Sequence, residues 1–300
     1  MTSTADKRRA FRTLHESGCF VIPNPWDIGS AMYLQNLGFK ALATTSSGFA
    51  WSQGRPDNGL PRERVLEHLS DLAAAIDVPL NADFENGFAA DAAGVAESVR
   101  MAVETGIAGI SIEDSVSPGR VSPGRVSPEG ASQRPGRAAA HPTIANTASL
   151  FELDAAVERV RAARRAIDAA GGEVLLIARA ECFLVGLPDI EHTIARLKAY
   201  AGAGADCLYA PGIRSAEHIR AVVEAVDPKP VNLLVSAPAG LTLADIADLG
   251  VRRVSLGGAL ARAAWGGFMR AARELAEHGS FEGLAGAPPH SAVNALFEAG

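Results

Sequence analysis

The sequence predicts an α/β fold, a (β/α)8 TIM barrel built as a single domain over residues 1–300. Short apolar segments alternate with longer helical patterns along most of the 300 residues. Eight such units in about 250 residues match the usual size of this barrel. The alternative is a doubly wound sheet. However, no Gly-x-Gly-x-x-Gly motif follows the first apolar segment, where a dinucleotide-binding sheet usually carries one.

Eight segments are predicted to form the strands, because each is short and apolar enough to be buried on both faces. In chain order they are Cys19–Pro23, Ala41–Thr45, Pro79–Ala82, Gly109–Ile112, Glu173–Ala178, Asp206–Tyr209, Pro230–Val235 and Arg253–Leu256. The segments between them have helical patterns, and several end at a glycine. The predicted helices are Ile28–Leu37, Arg62–Ala75, Ala90–Thr105, Asp154–Ala170, Ile190–Ala201, Ala216–Val226, Leu243–Leu249 and, within the C-terminal residues 258–300, Gly258–His278 and Ser291–Glu298.

One segment after the fourth strand departs from this alternation. Residues 115–148 are rich in Pro, Gly, Ser and Arg, and the unit Val-Ser-Pro-Gly-Arg occurs at 116–120 and again at 121–125. Such a composition cannot bury enough apolar surface to fold alone. The segment is therefore predicted to be a mobile lid or insertion, on the face where barrel enzymes carry their lids.

Composition and charge narrow the class of protein. Hydrophobic residues make up 48% of the chain, which allows a sizeable core, and the net charge of −6 disfavours nucleic acid as the main partner. The three cysteines are far apart in the sequence, and no apolar run reaches about 18 residues, the length that a membrane span requires. We predict a cytoplasmic protein with no nucleic-acid or membrane partner.

Charged residues follow three successive predicted strands. Asp83 and Glu85 follow the third strand, Glu113 the fourth and Arg179 the fifth. The C-terminal ends of barrel strands converge on one mouth, so these side chains are expected to lie together. Crowded carboxylates cost free energy unless a cation compensates them, and carboxylate oxygens suit Mg²⁺. Arg179 then offers a planar fork to the carboxylate of a small-molecule substrate.

Smaller polar and aromatic residues complete the predicted mouth. Ser47 and Gly48 lie in a predicted turn whose N–H groups could stabilise a developing enolate oxygen. Tyr209, Ser236 or a residue of the lid is left as the proton-transfer group, and the sequence does not choose between them. The full set of further substrate-binding or catalytic candidates is Trp26, Ser46, Ser47, Gly48, Asp57, Tyr209 and Ser236.

The same residues carry a family resemblance. Over about residues 15–270 the chain resembles the isocitrate lyase/phosphoenolpyruvate mutase superfamily. The matching motifs are Asn24-Pro25-Trp26-Asp27, Thr44-Thr45-Ser46-Ser47-Gly48-Phe49, Gly54-Arg55-Pro56-Asp57, Asp83-Phe84-Glu85-Asn86-Gly87-Phe88, Gly109-Ile110-Ser111-Ile112-Glu113-Asp114-Ser115 and Ala178-Arg179-Ala180-Glu181.

The resemblance implies both a site and an assembly. It implies that Mg²⁺ binds near Asp83, Glu85 and Glu113, mostly through water. It also implies that Ser47, Gly48 and Arg179 hold the oxo-acid. Asp57 would lie close to the mouth, and we predict that Arg179, Asp57 and Glu113 are catalytic. The resemblance also implies that the eighth helix of the barrel is exchanged between subunits, in a homodimer or homotetramer.

The chain departs from this superfamily in the parts that would name the reaction. The lyases carry a Lys-[Lys/Arg]-Cys-Gly-His lid motif and the mutases a lid with a Lys and an Asn-Ser pair. Residues 115–148 hold neither Cys nor Lys, and Asn146-Thr147 is a partial match at most. After the sixth strand, where the lyases have Glu and the mutases His, this chain has Tyr209. Glu85 replaces the usual Asp of the metal motif.

Three hypotheses follow for the function. The first is Mg²⁺-dependent cleavage of a C–C bond in a small 2-oxo or 2-hydroxy dicarboxylate through an enolate. The second is C–P chemistry, that of a phosphonomutase or a phosphonopyruvate hydrolase. The third is a catalytically degenerate barrel that binds an oxo-acid or a partner protein through residues 115–148.

Overall fold

The inner layer of the fold is made of short parallel strands. The computed structural model describes residues 2–116 and 149–298. The strands in these residues are β1 (Phe20–Ile22), β2 (Leu42–Ala43), β3 (Leu80–Asp83), β4 (Gly109–Glu113), β5 (Ser115–Val116), β6 (Ser149–Leu150), β7 (Leu175–Arg179), β8 (Cys207–Tyr209), β9 (Val231–Leu234) and β10 (Arg253–Ser255).

Eight of these strands form a barrel. They pair in the order β1-β10-β9-β8-β7-β4-β3-β2, and the pairing is parallel throughout. The N–H of Ala43 donates to the carbonyl of Pro23 over 3.0 Å, so β2 returns to the end of β1. The predicted (β/α)8 barrel is confirmed, and every predicted strand lies within two residues of an observed one at each end.

The helices form the outer layer. Within the described residues they are α1 (Thr4–Leu14), α2 (Ile28–Asn36), α3 (Ser46–Ser52), α4 (Arg62–Ala75), α5 (Ala92–Glu104), α6 (Leu153–Ala169), α7 (Ile190–Gly202), α8 (Ala216–Val226), α9 (Leu243–Asp248), α10 (Ala259–His278) and α11 (His290–Ala295), with a 3-10 turn at Glu282–Leu284. Neither α1 nor α3 was predicted. Helices with both the length and the apolar character to cross a bilayer are absent from this set.

The apolar faces of the helices pack on the outside of the barrel. Val95 and Val99 of α5 and Val160 and Ala163 of α6 are buried in one continuous core with the strands. Each fully buried valine contributes roughly 1.5–3 kcal/mol relative to an exposed one. Asp91 caps α5 by accepting a hydrogen bond from the N–H of Gly94, which satisfies one of the open donors at the start of that helix.

Helix α1 closes the N-terminal end of the barrel. Phe11 is fully buried inside it with Ile22 and Ala41. A β-carbon at Gly109 would lie 2.5 Å from the ring of Phe11, so this position at the start of β4 has room only for glycine. The opposite end of the barrel, at the C-terminal ends of the strands, is where a functional site is expected in this fold.

A short antiparallel pair of strands, β5 and β6, lies at the base of the excursion, the segment of residues 115–148 that follows β4. Ser115 of β5 pairs with Leu150 of β6, and Val116 pairs with Ser149. The two ends of the excursion therefore lie side by side next to the barrel mouth. Residues 117–148, which hold most of the predicted lid, lie outside the described residues.

Candidate active site

Three strand ends meet at the mouth around one arginine. Arg179 at the end of β7 lies beside Glu113 at the end of β4. Its guanidinium contacts three carboxylates: Nη1 lies 2.8 Å from Asp83, Nη2 3.2 Å from Glu113, and Nε 2.8 Å from Glu181. The residues that the sequence places at successive strand ends do come together, and Arg179 is their common partner.

The second oxygen of Asp83 ties β3 to helix α3. It accepts a hydrogen bond from the N–H of Ser46 over 3.0 Å. Ser46 begins α3, and Thr45 caps this helix by accepting a hydrogen bond from the N–H of Gly48. The predicted turn at this position is therefore wrong. The Thr45 hydroxyl captures the N–H group that a turn would leave open, so the segment continues as a helix.

A small cavity leads from the mouth into the barrel. Its volume is about 180 Å³, which is below the usual range of roughly 300–1,000 Å³ for sites that hold drug-sized ligands. The size suits a small acid. The residues that line it are Asn24, Ala43, Thr44, Thr45, Ser46, Ser47, Asn81, Asp83, Ser111, Arg179, Leu184, Tyr209, Leu234, Arg253, Ser255, Gly257 and Gly258.

Some of the predicted substrate-binding residues reach this cavity and others do not. Ser46, Ser47 and Tyr209 line it together with Arg179. Ser236 lies in a neighbouring cavity with Gly212 and Arg214.

Gly48 and Trp26 are not among the residues that line this cavity. A β-carbon at Gly48 would lie 3.1 Å from Cβ of Trp26 and 3.2 Å from that of Ala261, so the glycine serves packing against α10. The N–H of Gly48 is engaged by Thr45. Of the candidate site residues predicted at the first two strand ends, Ser46 and Ser47 at the start of α3 are the ones that line the cavity.

Acidic charge exceeds basic charge at the mouth. Burial raises the pKa of Glu113, and the nearby charge of Asp83 adds to this rise, while Arg179 opposes it. Burial also raises the pKa of Glu181, to about 8, against the same opposition from Arg179. Desolvation, followed by repulsion from Asp83, raises the pKa of Asp57, whose Oδ1 accepts a hydrogen bond from Ser46 over 3.4 Å. One arginine does not compensate four carboxylates.

This donor set fits a hard divalent cation. Carboxylate oxygens are the preferred ligands of Mg²⁺, and added positive charge would relieve the repulsion that raises these pKa values. Asp83 and Glu113, which both contact Arg179, are the residues that could hold such an ion. Across residues 2–116 and 149–298, no three His, Cys, Asp or Glu side chains form a ready-made metal cluster.

Glu85 occupies an unusual position next to this set. It is buried, and its φ of 45° places a non-glycine residue in the left-handed region. Its carbonyl accepts a hydrogen bond from the N–H of Glu113 over 2.9 Å, which joins the ends of β3 and β4. Such strained backbone positions cluster at functional sites. Its role as a metal ligand stays a prediction.

A buried network behind the mouth was not predicted. Asp114 accepts hydrogen bonds from the N–H of Glu181 (2.8 Å), from Arg196 (3.0 Å) and from the hydroxyl of Tyr200 (2.5 Å). Arg196 also donates to the carbonyl of Phe151 over 2.9 Å. The network thus fixes Glu181 and the start of the chain after β6. The sequence signal was present in Glu113-Asp114, but only the hydrogen bonds show that Asp114 faces Arg196 and Tyr200 of α7.

Comparison with known proteins identifies the family. The family model for phosphoenolpyruvate phosphomutase matches residues 11–276. The chain belongs to the isocitrate lyase/phosphoenolpyruvate mutase superfamily. It is therefore an enzyme of a superfamily of lyases and mutases that act on oxo-acids, and its homologues include C–C lyases.

Relatives with and without a defined reaction resemble this superfamily member. A solved structure from Burkholderia cenocepacia J2315, designated only as a lyase/mutase, has 44% identity and a TM-score of 0.84 over 98% of this chain and 97% of that one. The oxaloacetate decarboxylase of Paraburkholderia xenovorans (strain LB400) is 30% identical over 84% of this chain and 75% of its own length. The structure of an oxaloacetate acetylhydrolase with its product oxalate has 25% identity and a TM-score of 0.78 over 98% and 93%.

Proposed function

We propose that this enzyme cleaves a C–C bond in a small 2-oxo or 2-hydroxy dicarboxylate, with Mg²⁺ as its cofactor, through an enolate. The observation that carries the proposal is the contact of Arg179 with Asp83 and Glu113 at the mouth of a cavity of about 180 Å³. An oxaloacetate decarboxylase and an oxaloacetate acetylhydrolase among the relatives favour an oxaloacetate-like substrate. Bound at the acidic residues, Mg²⁺ would polarise the oxo group and stabilise negative charge on its oxygen.

Arg179 is the group that we assign to the substrate carboxylate. Each of its three nitrogens contacts a carboxylate of the chain. Since each Nη group carries two N–H donors, an incoming carboxylate uses the second donor of an Nη group or exchanges with Asp83 or Glu113 there, while Nε stays with Glu181. A planar fork that exchanges one carboxylate for another keeps its hydrogen bonds throughout.

Tyr209 is the proton donor that we favour among the candidates. Its ring lies 5.2 Å from the Arg179 guanidinium carbon, and it lines the cavity, whereas Ser236 does not. Burial raises the pKa of Tyr209 to about 12, so the hydroxyl keeps its proton at neutral pH. The Ser255 hydroxyl donates to the Tyr209 oxygen over 3.4 Å, which leaves the phenolic proton available for the carbon of an enolate.

An assay panel tests the proposed reaction. Oxaloacetate, methylisocitrate, dimethylmalate and phosphonopyruvate are offered with Mg²⁺, and the products are followed by carbon and phosphorus NMR. We expect C–C cleavage of at least one dicarboxylate and loss of turnover in EDTA. Turnover of phosphonopyruvate alone would instead assign C–P chemistry, and no turnover with any of the four would contradict the proposal.

We also propose that the active form is a homo-oligomer in which α10 packs on a second copy. The helix buries only Ala261 in the single chain, and it exposes Phe268 at 62% and Met269 at 44%. An apolar cavity lined by Trp51, Trp265 and Met269 lies between α10 and α3. Exposed apolar surface of this extent is typical of an interface, in keeping with the helix exchange that the family resemblance implies.

A further inference from the structure

The cavity contains a second arginine in very different surroundings. Arg253 lies at the start of β10 with 2% of its surface exposed, and it lines the cavity below the mouth. Within residues 2–116 and 149–298, no ion pair joins Arg253 to a carboxylate, in contrast to the three that surround Arg179. Because a guanidinium keeps its charge in proteins, the floor of the cavity is positively charged.

The hydrogen-bond partners of Arg253 in the described residues are neutral acceptors, and its guanidinium carbon lies 5.9 Å from the centroid of the Phe11 ring. Its Nε donates to Oδ1 of Asn232 over 2.7 Å, and its Nη1 lies 3.4 Å from both Oδ1 of Asn81 and Nε2 of His15. The last two contacts are long for hydrogen bonds. His15 is neutral, because burial and then the charge of Arg253 lower its pKa to about 3. Its Nδ1 donates to the carbonyl of Phe11 over 2.7 Å, which leaves Nε2 as an acceptor.

The floor is built to hold this charge in place. Asn81 and Asn232 are both almost fully buried. A β-carbon at Gly109 would lie 2.7 Å from Oδ1 of Asn81, so the glycine leaves room for the amide. Asn232 also donates to Ser255, which donates to Tyr209. Hydrogen bonds thus connect the floor to the mouth.

We propose that Arg253 is an anion receptor at the floor of the cavity and that it takes the second carboxylate of a dicarboxylate substrate. Burying a cation among neutral groups costs several kcal/mol unless a partner compensates it, and a ligand carboxylate in the cavity is such a partner. The inference rests on the proposed function for the identity of the ligand. A free small anion such as chloride offers the same chemistry and is the second source to be tested.

Asn232→Asp separates an anion receptor from a structural arginine. The variant puts a carboxylate against Nε of Arg253 with almost no change in shape. It also removes the donor to Ser255, so binding of a monocarboxylate serves as the check that the mouth is intact. If Arg253 has only a structural role, the new ion pair leaves ligand binding unchanged. If Arg253 receives an anion, the internal carboxylate occupies it, and anion binding is lost while the fold is kept. Arg253→Lys is the second variant, and Arg164→Lys, which alters an outer arginine paired with Asp206, is the matched control.

The binding measurement uses two 2-oxo acids, pyruvate and 3,3-difluorooxalacetate, of which only the latter carries a second carboxylate. Both are titrated calorimetrically at saturating Mg²⁺. In the wild type and in Arg164→Lys we expect the diacid to bind roughly tenfold or more tightly than pyruvate, as a charge-assisted hydrogen-bonded pair implies. In Asn232→Asp we expect this preference to disappear while pyruvate still binds, and in Arg253→Lys we expect it to weaken, because lysine keeps the charge but not the planar fork.

The effect of chloride on Tm tests whether the site binds a free small anion instead of a substrate carboxylate. If chloride raises the Tm of the wild type but not of Asn232→Asp, and the diacid preference is unchanged, the site belongs to a free anion. If neither the diacid preference nor the chloride effect responds to either variant, the proposal is overturned. These readouts involve no turnover, so they stand apart from the assay panel that tests the proposed reaction.

Discussion

Arg179 and Arg253 lie in the same cavity and differ in what surrounds them. Arg179 is held by Asp83, Glu113 and Glu181 from three strand ends, whereas Arg253 has amides and a neutral histidine. The mouth thus presents acidic groups to a cation, and the floor presents a cation to an acid. A dicarboxylate bound to Mg²⁺ matches both ends of this arrangement.

The first prediction concerns Asp83. Asp83→Asn keeps the acceptor for the N–H of Ser46 but removes one ligand charge. We expect the affinity for Mn²⁺, measured by electron paramagnetic resonance as a probe for Mg²⁺, to fall by roughly tenfold or more, because ligand charge sets the affinity of such sites. Asp91→Asn, at the cap of α5, is the control and should bind Mn²⁺ as the wild type does. Equal affinity in Asp83→Asn would remove Asp83 from the metal site.

The sequence predicted the positions of those site residues that directly follow a predicted strand. The rule that strand ends converge placed Asp83, Glu113 and Arg179 correctly. It could not place Arg253, because a lone arginine at the start of a strand does not reveal whether it faces the barrel interior. It also grouped Ser236 with the mouth, although Ser236 lies past the end of β9 in a neighbouring cavity.

At the scale of elements, the helices missed by the sequence are those without a long apolar period. Helix α3 has seven residues and depends on the Thr45 cap. Helix α1 is mostly polar, and only Phe11 and Lys7 are buried. Lys7 donates to the carbonyls of Ala73 and Ile76. These contacts join residues that are far apart in the sequence and form only in the folded barrel, so no local sequence pattern predicts them.

The second prediction concerns the packing of α4 on α3. His68 stacks on Phe49 with ring centroids 3.7 Å apart, and burial lowers its pKa to about 4. The unfolded state takes up a proton near pH 6.5, whereas the folded state does so only near 4. Stability therefore falls as the pH drops from about 6.5 to about 4, by about 3 kcal/mol in all for this group.

His68→Phe should keep the stacking and remove this acid-dependent loss. Urea unfolding at pH 7.5 and at pH 4.5 measures the difference between the two proteins. His278→Phe changes an exposed histidine at the end of α10 and should retain the wild-type pH dependence. If His68→Phe loses as much stability in acid as the wild type does, His68 is not buried in its neutral form.

At the scale of the whole molecule, the barrel was predictable because eight apolar segments recur with a regular spacing. The strand pair at the base of the excursion was not predictable in this way. The pairing of β5 with β6 joins residues on either side of the 117–148 segment, and nothing in the two short segments themselves indicates it. The two ends of the segment that departs from the superfamily's lid motifs are thus paired next to the mouth of the barrel.

The third prediction concerns assembly. Phe268→Asp places a charge in the exposed apolar face of α10. Since Phe268 is exposed in the single chain, we expect the variant to fold, as judged by circular dichroism, but to have the mass of a monomer in light scattering. The wild type and Arg273→Asp, a charge change elsewhere on the same helix, should have the mass of a dimer or tetramer. A monomeric wild type would contradict the proposed assembly.

The most direct test of the central claim is the binding of oxalate, a mimic of the enolate of a 2-oxo acid. Calorimetric titration of the wild type with oxalate is carried out in Mg²⁺ and again in EDTA. If the acidic mouth holds a cation beneath an enolate, oxalate binds more tightly in Mg²⁺, by roughly tenfold or more. If oxalate binds equally in both, the carboxylates around Arg179 do not form a metal site, and the proposed chemistry is wrong.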